Sequence, residues 1–429
     1  MIKFNRRQFI KAAGLTGVAA GMPLTAACAA NHGGGSAKGR VVIVGGGTGG
    51  ATAARYIKHL DPAIDVTLIE AGQTHHTCYF SNLVIGNLRT LDSIEQRFDN
   101  LRASGIKVVN QKATAIDTNA KTVTTADGQS HGYDRLIVSP GIDFANNIEG
   151  YDEAAHEIMP HAWKAGPQTA LLKQQIQAMP ENGVVVIAAP PNPFRCPPGP
   201  YERASLIANY CKQHKPRAKV MIIDAKDAFA KQGLFNQGWQ RHYGDMVEWV
   251  SGANTNGGVK RVNPGAMTVH TEFDDIKADV ANVIPAQKAG RIAELAGLTN
   301  EGGWCPVNFK TFESTLVSDV HVIGDAAIAG PMPKSGYIAN SHGKTVALAI
   351  VDIMNGRDPG QPSFLNTCYS LLTSEQAISV AAVWGLDANG EVVTKNAGLT
   401  PMDASDAFLA REVEYAKSWY KNLVSDAWG

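Results

Sequence analysis

The chain has 429 residues, of which 44% are hydrophobic and 18% are charged, so it is long enough for two or three domains with separate cores. The 39 lysines and arginines balance the 39 aspartates and glutamates, which gives a formal net charge of zero. This balance excludes a nucleic-acid-binding role, because such a protein needs a basic excess to displace counterions.

The N-terminus has the pattern of an export signal. A twin arginine, Arg6-Arg7, is followed by the uncharged residues 12–30, which are too rich in glycine and too mildly apolar for a permanent membrane span. We predict a twin-arginine signal peptide over 1–30, hence a periplasmic mature protein with no integral membrane span. The alternatives are an ordinary basic N-terminus and a lipoprotein anchor at Cys28.

A βαβ unit begins after a glycine-rich linker. The apolar run 40–45 predicts a buried parallel strand, the alanine-rich segment 48–60 predicts a helix, and 65–70 predicts a second strand. A glycine-rich turn between the first strand and the helix is typical of dinucleotide binding in open α/β sheets.

The glycines of this turn have the G-x-G-x-x-G spacing at Gly45, Gly47 and Gly50. The first glycine permits the tight turn, the second lets a pyrophosphate approach the backbone, and the third lets helix and strand pack closely. Glu70 lies twenty residues after Gly50, at the end of the second strand, and is placed to accept hydrogen bonds from ribose hydroxyls. We therefore predict a dinucleotide cofactor here.

A second βαβ unit begins about 140 residues later and lacks the phosphate-binding glycines. The residues after its first strand, 188–194, include three prolines and a phenylalanine, which would block a pyrophosphate and remove amide donors. Asp224 occupies the expected acidic position, but the phosphate cradle is missing. We infer that NAD(P)H is not a substrate. The further predicted elements are a meander over 122–133, strands at 136–139, 183–188, 219–224 and 320–325, and helices at 202–214 and 337–355.

Two further segments favour FAD over NAD as the ligand of the first unit. Residues 311–325 resemble the second flavin motif of glutathione-reductase-like enzymes, in which an aspartate bonds the ribityl chain, so Asp325 is a candidate flavin ligand. The Ser139-Pro140-Gly141 turn resembles the crossing segment of the same enzymes.

Nearly the whole mature chain resembles the flavoprotein subunit of flavocytochrome c sulfide dehydrogenase. This resemblance implies an α/β, glutathione-reductase-like flavoprotein with two dinucleotide-binding domains and a C-terminal interface domain. The domains would be 38–150 with 286–357 for FAD, 151–285 for the degenerate second unit, and 358–429 for the interface. The most specific segments are 77–79, 195–202, 303–306, 366–370 and 415–420.

The resemblance also implies the chemistry of the cysteines. Cys78 would be bonded covalently to FAD, and Cys196 and Cys368 would form a disulfide that accepts sulfide and yields sulfur or polysulfide. Glu202, six residues after Cys196, is a candidate general base, the alternative being a carboxylate that merely stabilises a helix N-terminus. The electrons would pass to a c-type cytochrome subunit, and since this sequence has no CxxCH motif, the haem would lie in a separate chain.

Other cysteines and two histidines leave alternatives open. Cys211 and Cys305 are predicted to be buried structural thiols, and no cysteine spacing suggests zinc. His75-His76 leaves open a secreted flavin- or copper-binding protein, although neighbouring histidines point in different directions and we predict no metal.

The nearest enzymatic alternative is a sulfide:quinone oxidoreductase, which needs an apolar end that faces a membrane. The predicted amphipathic helix at 409–424 has charges of both signs on its polar face, which favours a soluble or partner-bound helix.

Overall fold

The computed structural model describes residues 38–429, and the predicted signal peptide with Cys28 lies outside these residues. The first βαβ unit is confirmed: strand Arg40–Val44, helix Thr48–Leu60 and strand Asp65–Ile69 follow in that order. The two strands pair in parallel from the first residue of each to the last. Val41, Val42 and Ile43 are all buried, as expected for a strand that is covered on both faces.

Five parallel strands form the first sheet, and two long helices pack together beside it. Gly343 in the helix Gly336–Met354 faces Gly49 in the helix Thr48–Leu60, and a Cβ atom on Gly343 would lie 2.6 Å from the Gly49 carbonyl oxygen. The helices therefore cross closely because neither carries a side chain there. The strand order is Val320–Val322, Arg135–Val138, Arg40–Val44, Asp65–Ile69 and Lys107–Val109.

Four parallel strands form the second sheet, which contains the second predicted βαβ unit. Its helix, Gly199–His214, starts three residues earlier than predicted. Pro200 is accommodated there because the first turn of a helix does not need its backbone N–H groups. The strand order is Val247–Val250, Lys219–Asp224, Val184–Ala189 and Val280–Val283.

The third sheet is antiparallel and was not predicted. It consists of the strands Ser363–Leu371, Ala377–Leu386 and Val392–Leu399. The C-terminal helix Asp406–Trp428 packs against it, and the buried Glu412 accepts hydrogen bonds from Ser379 Oγ and Thr400 Oγ1. The third sheet and its helix therefore form one layered element.

Smaller elements complete the described part of the chain. The predicted meander is a three-stranded sheet of Ala113–Asp117, Thr122–Thr125 and Ser130–Gly132. The strand predicted at 320–325 ends at Val322. It ends there because a 3-10 turn at Gly324–Ala326 follows, in which Gly324 has φ of +71°. The other strands are Arg261–Asn263 with Thr268–His270 and Asp275–Lys277, Ile142–Phe144 with Gln287–Ala289, His75–His76 with Glu95–Gln96, and Cys305–Pro306 with Ala327–Ile328. The other helices are Ser81–Ile85, Asp99–Ala103, Glu153–His156, Pro167–Ala178, Gln232–His242, Gly252–Thr255 and Arg291–Leu295, with 3-10 turns at Asp92–Ile94, Gly244–Met246 and Pro264–Ala266.

The three sheets take their strands from successive parts of the sequence. The first sheet uses strands between 40 and 138 and one at 320–322, the second uses strands between 184 and 283, and the third uses strands after 363. The predicted domain bounds stay a prediction. Among residues 38–429, no helix combines the length and the apolar character needed to cross a membrane.

Candidate flavin site and cysteine cluster

The glycine-rich loop leaves no room for side chains at two of its three predicted positions. Gly45 has φ of +101°, and a Cβ atom there would lie 2.2 Å from the Ser139 carbonyl oxygen. A Cβ atom on Gly50 would lie 1.9 Å from the Gly45 carbonyl oxygen. These two glycines are therefore required by the protein's own packing.

Gly47 differs from the other two glycines. A Cβ atom on Gly47 would meet only the His75 ring, at an ordinary contact distance of 3.5 Å or more, and its φ of −65° suits any residue. The protein's own packing therefore does not require glycine at this position. The open space there, at the start of the helix Thr48–Leu60, fits a pyrophosphate that approaches the backbone.

Glu70 holds the shape of this loop. Its Oε2 accepts from the Gly46 N–H at 2.6 Å, and its Oε1 accepts from the Gly72 N–H at 3.0 Å. Each carboxylate oxygen keeps a further lone pair, so the position remains compatible with a ribose hydroxyl. Trp428, near the chain's end, closes the loop from the other side: its Nε1 donates to the Gly46 carbonyl at 3.2 Å.

Asp325 provides an unused acceptor in the interior. Its Oδ2 lies 3.7 Å from Arg195 Nη1, whereas its Oδ1 is buried without a hydrogen-bond partner among the described residues. Burial raises the pKa of Asp325, and Arg195 and Lys334 oppose that rise. A buried acceptor without a donor costs free energy, so the site calls for a donor from a ligand. A ribityl hydroxyl would satisfy this oxygen, and the residues present fit FAD.

Cys78 lies beside the pair that Arg195 and Asp325 form. Burial raises the pKa of the Cys78 thiol, the charge on Arg195 lowers it, and the charge on Asp325 raises it. The segment is fixed on both sides of the cysteine: Thr77 Oγ1 donates to the Tyr79 carbonyl at 3.0 Å, and Ser81 Oγ donates to the Cys78 carbonyl at 2.6 Å. The thiol is thus held near the carboxylate that fits the flavin's ribityl chain.

Cys196 occupies a strained turn before the helix Gly199–His214. Its φ is +57°, an uncommon value for a residue with a side chain. Its N–H donates to the Lys334 carbonyl at 2.7 Å, and its carbonyl accepts from the Gly199 N–H at 2.8 Å. Burial raises the pKa of the Cys196 thiol well above its usual value, and charges on Cys78 and Cys368 raise it further. The structure therefore brings these three cysteines together, and we call them the cysteine cluster.

Cys368 reaches the cluster from the strand Ser363–Leu371. Its Sγ lies 3.4 Å from Asn366 Nδ2, two residues earlier on the same face of the strand. Burial raises the pKa of the Cys368 thiol, and Asn366, Lys231 and Ser335 oppose the rise. No disulfide bond joins the five cysteines between residues 38 and 429 in this structure, so the Cys196–Cys368 disulfide stays a prediction.

Glu202 links the helix that follows Cys196 to the strand that carries Cys368. It lies in the first turn of the helix Gly199–His214, with its Oε2 accepting from Asn82 Nδ2 at 2.8 Å and its Oε1 accepting from the Leu371 N–H at 3.0 Å. Burial raises the pKa of Glu202, and the two hydrogen bonds oppose that rise. The carboxyl group can therefore exchange a proton closer to neutral pH than an exposed glutamate can.

The structure also shows residues that the sequence did not indicate. Arg195 interacts with Asp325, Cys78 and Cys196. The buried Lys231 interacts electrostatically with Cys368. Arg195 could have been suspected from its place beside Cys196, but Lys231 comes from a separate segment and carries no sequence signal.

The two neighbouring histidines diverge. His75 stacks on Trp428 with ring centroids 5.4 Å apart, and His76 Nε2 lies 3.7 Å from Glu95 Oε2. Between residues 38 and 429, no group of three or more histidine, cysteine or acidic side chains is arranged to hold a metal ion. Cys211 and Cys305 are fully buried, as predicted for structural thiols.

The acidic residue of the second βαβ unit is used inside the protein. Asp224 is fully buried, and its Oδ2 accepts from Tyr201 Oη at 2.5 Å and from Trp249 Nε1 at 3.0 Å. Lys226 Nζ lies 2.5 Å from its Oδ1. The carboxylate is thus surrounded by protein donors and aromatic rings rather than by an open ribose site.

Three family models match separate parts of the chain. The model described as "Sulfide dehydrogenase [flavocytochrome c] flavoprotein chain, central" matches residues 169–285. The model described as "Flavocytochrome c sulphide dehydrogenase, flavin-binding" matches residues 360–428. The model described as "Pyridine nucleotide-disulphide oxidoreductase" matches residues 39–187.

Curated relatives bear two kinds of name. The chain is 58% identical over 45 residues to the "Sulfide dehydrogenase [flavocytochrome c] flavoprotein chain" of Chlorobaculum thiosulfatiphilum, which covers 10% of this chain and 94% of that sequence. It is 25% identical over 352 residues to the "Sulfide-quinone reductase" of Aquifex aeolicus, which covers 76% of this chain and 80% of the relative.

Solved structures confirm the predicted fold class. The sulfide:quinone oxidoreductase of Aquifex aeolicus superimposes with a TM-score of 0.70 at 19% identity and covers 91% of each chain. The putidaredoxin reductase–putidaredoxin complex superimposes with a TM-score of 0.65 at 16% identity and covers 91% of this chain and 94% of that chain. The chain therefore has the α/β fold of the FAD-dependent disulfide oxidoreductases.

Proposed function

Because this chain belongs to the family of flavocytochrome c sulfide dehydrogenase flavoprotein chains, we propose that it oxidises sulfide to sulfur or polysulfide. The observation that carries the proposal is the convergence of Cys78, Cys196 and Cys368, from three separate segments, beside the Asp325 site. Relatives named as sulfide:quinone enzymes support the same substrate.

FAD is the cofactor that the residues fit. The glycines of the loop leave room for its pyrophosphate, and Asp325 Oδ1 lacks the hydrogen-bond donor that a ribityl hydroxyl would supply. When bound, FAD supplies two-electron oxidation and then releases electrons singly. Cys78 would hold the cofactor covalently, since its thiol lies beside the Asp325 carboxylate and the Arg195 guanidinium.

In the proposed reaction, the residues of the protein open and close a disulfide. Hydrosulfide attacks the Cys196–Cys368 bond, so that a new sulfur–sulfur bond forms at one cysteine while the electron pair of the broken bond stays on the other sulfur. Glu202 interacts electrostatically with both thiols and would take the proton of the new hydropersulfide and later return it.

A sulfur-adduct experiment tests the role of the two cysteines. The oxidised protein is mixed with one equivalent of sulfide without oxygen, alkylated, and digested for peptide mass spectrometry. We expect one additional sulfur on Cys196 or Cys368, and none on the buried Cys211. A protein that reduces its flavin with sulfide while both cysteine peptides stay unmodified and unlinked would refute the disulfide role. The Cys211→Ala variant serves as the matched control.

The proposed electron acceptor is a separate c-type cytochrome subunit. The family name and the absence of CxxCH from this sequence support this acceptor. A second candidate acceptor is a quinone, which the names of two relatives favour. Steady-state sulfide oxidation with either a soluble c-type cytochrome or decylubiquinone distinguishes them: a rapid reaction with the quinone alone would contradict the cytochrome proposal.

Two further proposals concern what the protein does not bind and where it works. The internal hydrogen bonds of Asp224 support the inference that NAD(P)H is not a substrate, and failure of NADH and NADPH to bleach the flavin would agree with it.

The twin arginine supports a periplasmic location. An Arg6→Lys, Arg7→Lys double variant should then accumulate in the cytoplasm, and normal export of that variant would contradict the proposal.

A further inference from the structure

Lys231 is a buried ammonium group beside the cysteine cluster. Only 7% of the residue is exposed, and its Nζ donates to Ser370 Oγ at 2.8 Å and to the Ile378 carbonyl at 3.4 Å. Both acceptors are neutral, and no carboxylate among residues 38–429 forms an ion pair with it. A buried charge without a partner is costly to keep, so its retention calls for an explanation.

The local structure around Lys231 adds two further unfavourable features. It is the N-cap of the helix Gln232–His242, where the helix dipole disfavours a positive charge. Its φ is +63°, a left-handed conformation that residues with side chains adopt infrequently. Local rules that fail together at one residue are expected at functional sites.

The strand that Lys231 contacts is the one that carries Cys368. Ser370, which accepts the hydrogen bond from Lys231, lies two residues after Cys368 on the same face of the strand Ser363–Leu371, about 7 Å along it. Leu371, the next residue, donates to Glu202. The lysine and the glutamate are therefore hydrogen-bonded to adjacent residues of the strand, and both interact electrostatically with Cys196 and Cys368.

The titratable groups around these side chains are few. Burial lowers the pKa of Lys231, and negative charge on four neighbours, Cys368, Glu202, Cys196 and Glu412, opposes that change. Cys368 has the largest opposing effect of the four. The neutral Asn366 side chain also lies within hydrogen-bond distance of the Cys368 sulfur, and Ser335 Oγ donates to Asn366 Oδ1 at 2.6 Å. Lys231 is thus a buried cation that favours the thiolate form of Cys368.

We propose that Lys231 is a positioning residue that stabilises the thiolate released on Cys368 when sulfide opens the disulfide. Hydrosulfide forms a bond to Cys196 Sγ, the Cys196–Cys368 bond breaks, and its electron pair stays on Cys368 Sγ as the thiolate. The proton stays on the new hydropersulfide of Cys196, so charge and atoms balance. This inference rests on the proposed sulfide oxidation, and it also fixes which cysteine receives the sulfur.

The test measures the reactivity of the thiol rather than turnover. Reduced holoprotein is alkylated with iodoacetamide over a range of pH, and the modification of Cys368 and Cys196 is followed separately by peptide mass spectrometry. In Lys231→Met we expect Cys368 to react about tenfold more slowly near neutral pH, because loss of a nearby charge moves a thiol pKa by about one unit. Lys231→Arg, which keeps the charge, should restore most of the rate. Lys212→Met, at an exposed lysine, should leave the rate unchanged.

A stability measurement separates this role from a structural one. Replacing an unpaired buried charge by an apolar side chain of similar length should leave the melting temperature of Lys231→Met unchanged or raise it. A folded Lys231→Met protein whose Cys368 reacts at the wild-type rate would overturn the proposal. If Cys368 reacts more slowly in Lys231→Met than in wild type, but wild type never reduces its flavin with sulfide, the assignment of Lys231 stands and the proposed function fails.

Discussion

Replacing two glycines of the same loop by alanine should affect different properties of the protein, its stability at Gly50 and its affinity for FAD at Gly47. A Cβ atom on Gly50 would lie 1.9 Å from the backbone oxygen of Gly45, so loop and helix must separate by about 1 Å to bring that contact to 3.0 Å. Overpacking of this kind costs up to about 3 kcal/mol, and the better helix propensity of alanine returns about 1 kcal/mol. We expect Gly50→Ala to lose roughly 2 kcal/mol of unfolding free energy.

Gly47→Ala should instead spare the fold and weaken the cofactor. Its Cβ atom meets only the His75 ring at 3.5 Å, so the loss of stability should stay below about 1 kcal/mol, the usual cost of alanine at a helix N-cap. The methyl group would occupy the approach of the pyrophosphate, so FAD should bind at least about tenfold more weakly, or about 1.4 kcal/mol.

Both variants are best compared in a Cys78→Ala background, in which FAD can be removed and added back. Urea unfolding of the apoprotein measures stability, and quenching of flavin fluorescence measures affinity. A Gly50→Ala protein as stable as its parent, or a Gly47→Ala protein that binds FAD with the parental affinity, would refute these two roles of the glycines.

Three further predictions concern single side chains. Cys78→Ala should release its FAD into the supernatant on acid precipitation, while the parent keeps flavin in the pellet; release from both would contradict the covalent bond. Asp224→Asn should lose roughly 2–3 kcal/mol of unfolding free energy in urea, because a buried carboxylate with three side-chain donors is replaced. Unchanged stability would count against the role of this network. Burial lowers the pKa of His342 to about 3, so between pH 6.5 and 3 only the unfolded chain takes up the proton, and stability falls by about 1.4 kcal/mol per pH unit as pH is lowered. The difference in unfolding free energy between wild type and His342→Gln should show this slope below about pH 6, and a flat difference would contradict it.

The parts of the fold that follow from local pattern were predictable. The segments 40–44 and 219–224 are short apolar runs bounded by glycine or acidic residues, which identify buried parallel strands, and the glycine spacing at 45–50 identifies the turn between strand and helix. The third sheet was missed because its last strand, Val392–Leu399, is largely exposed and lacks alternation of apolar and polar residues. Its position is decided by pairing with the strand Ala377–Leu386.

Candidate site residues could be named from the sequence where each lies in a recognisable segment of its own. Asp325 and the cysteines could be named because their segments resemble known motifs. The surroundings that set their chemistry come from distant parts of the chain: Arg195 meets Asp325 across 130 positions, and Lys231 meets Ser370 across 139. Tertiary packing creates these contacts, and no local pattern of residues predicts them.

The most direct test of the account is the reduction of the bound flavin by sulfide in the absence of oxygen, followed by stopped-flow absorbance. We predict rapid bleaching in wild type and in the control Cys211→Ala. Cys196→Ala and Cys368→Ala should bind FAD normally but bleach at least about a hundredfold more slowly, which corresponds to a loss of about 2.7 kcal/mol of transition-state stabilisation. Bleaching at the wild-type rate in either cysteine variant would contradict the central claim that sulfide reacts through this cysteine pair.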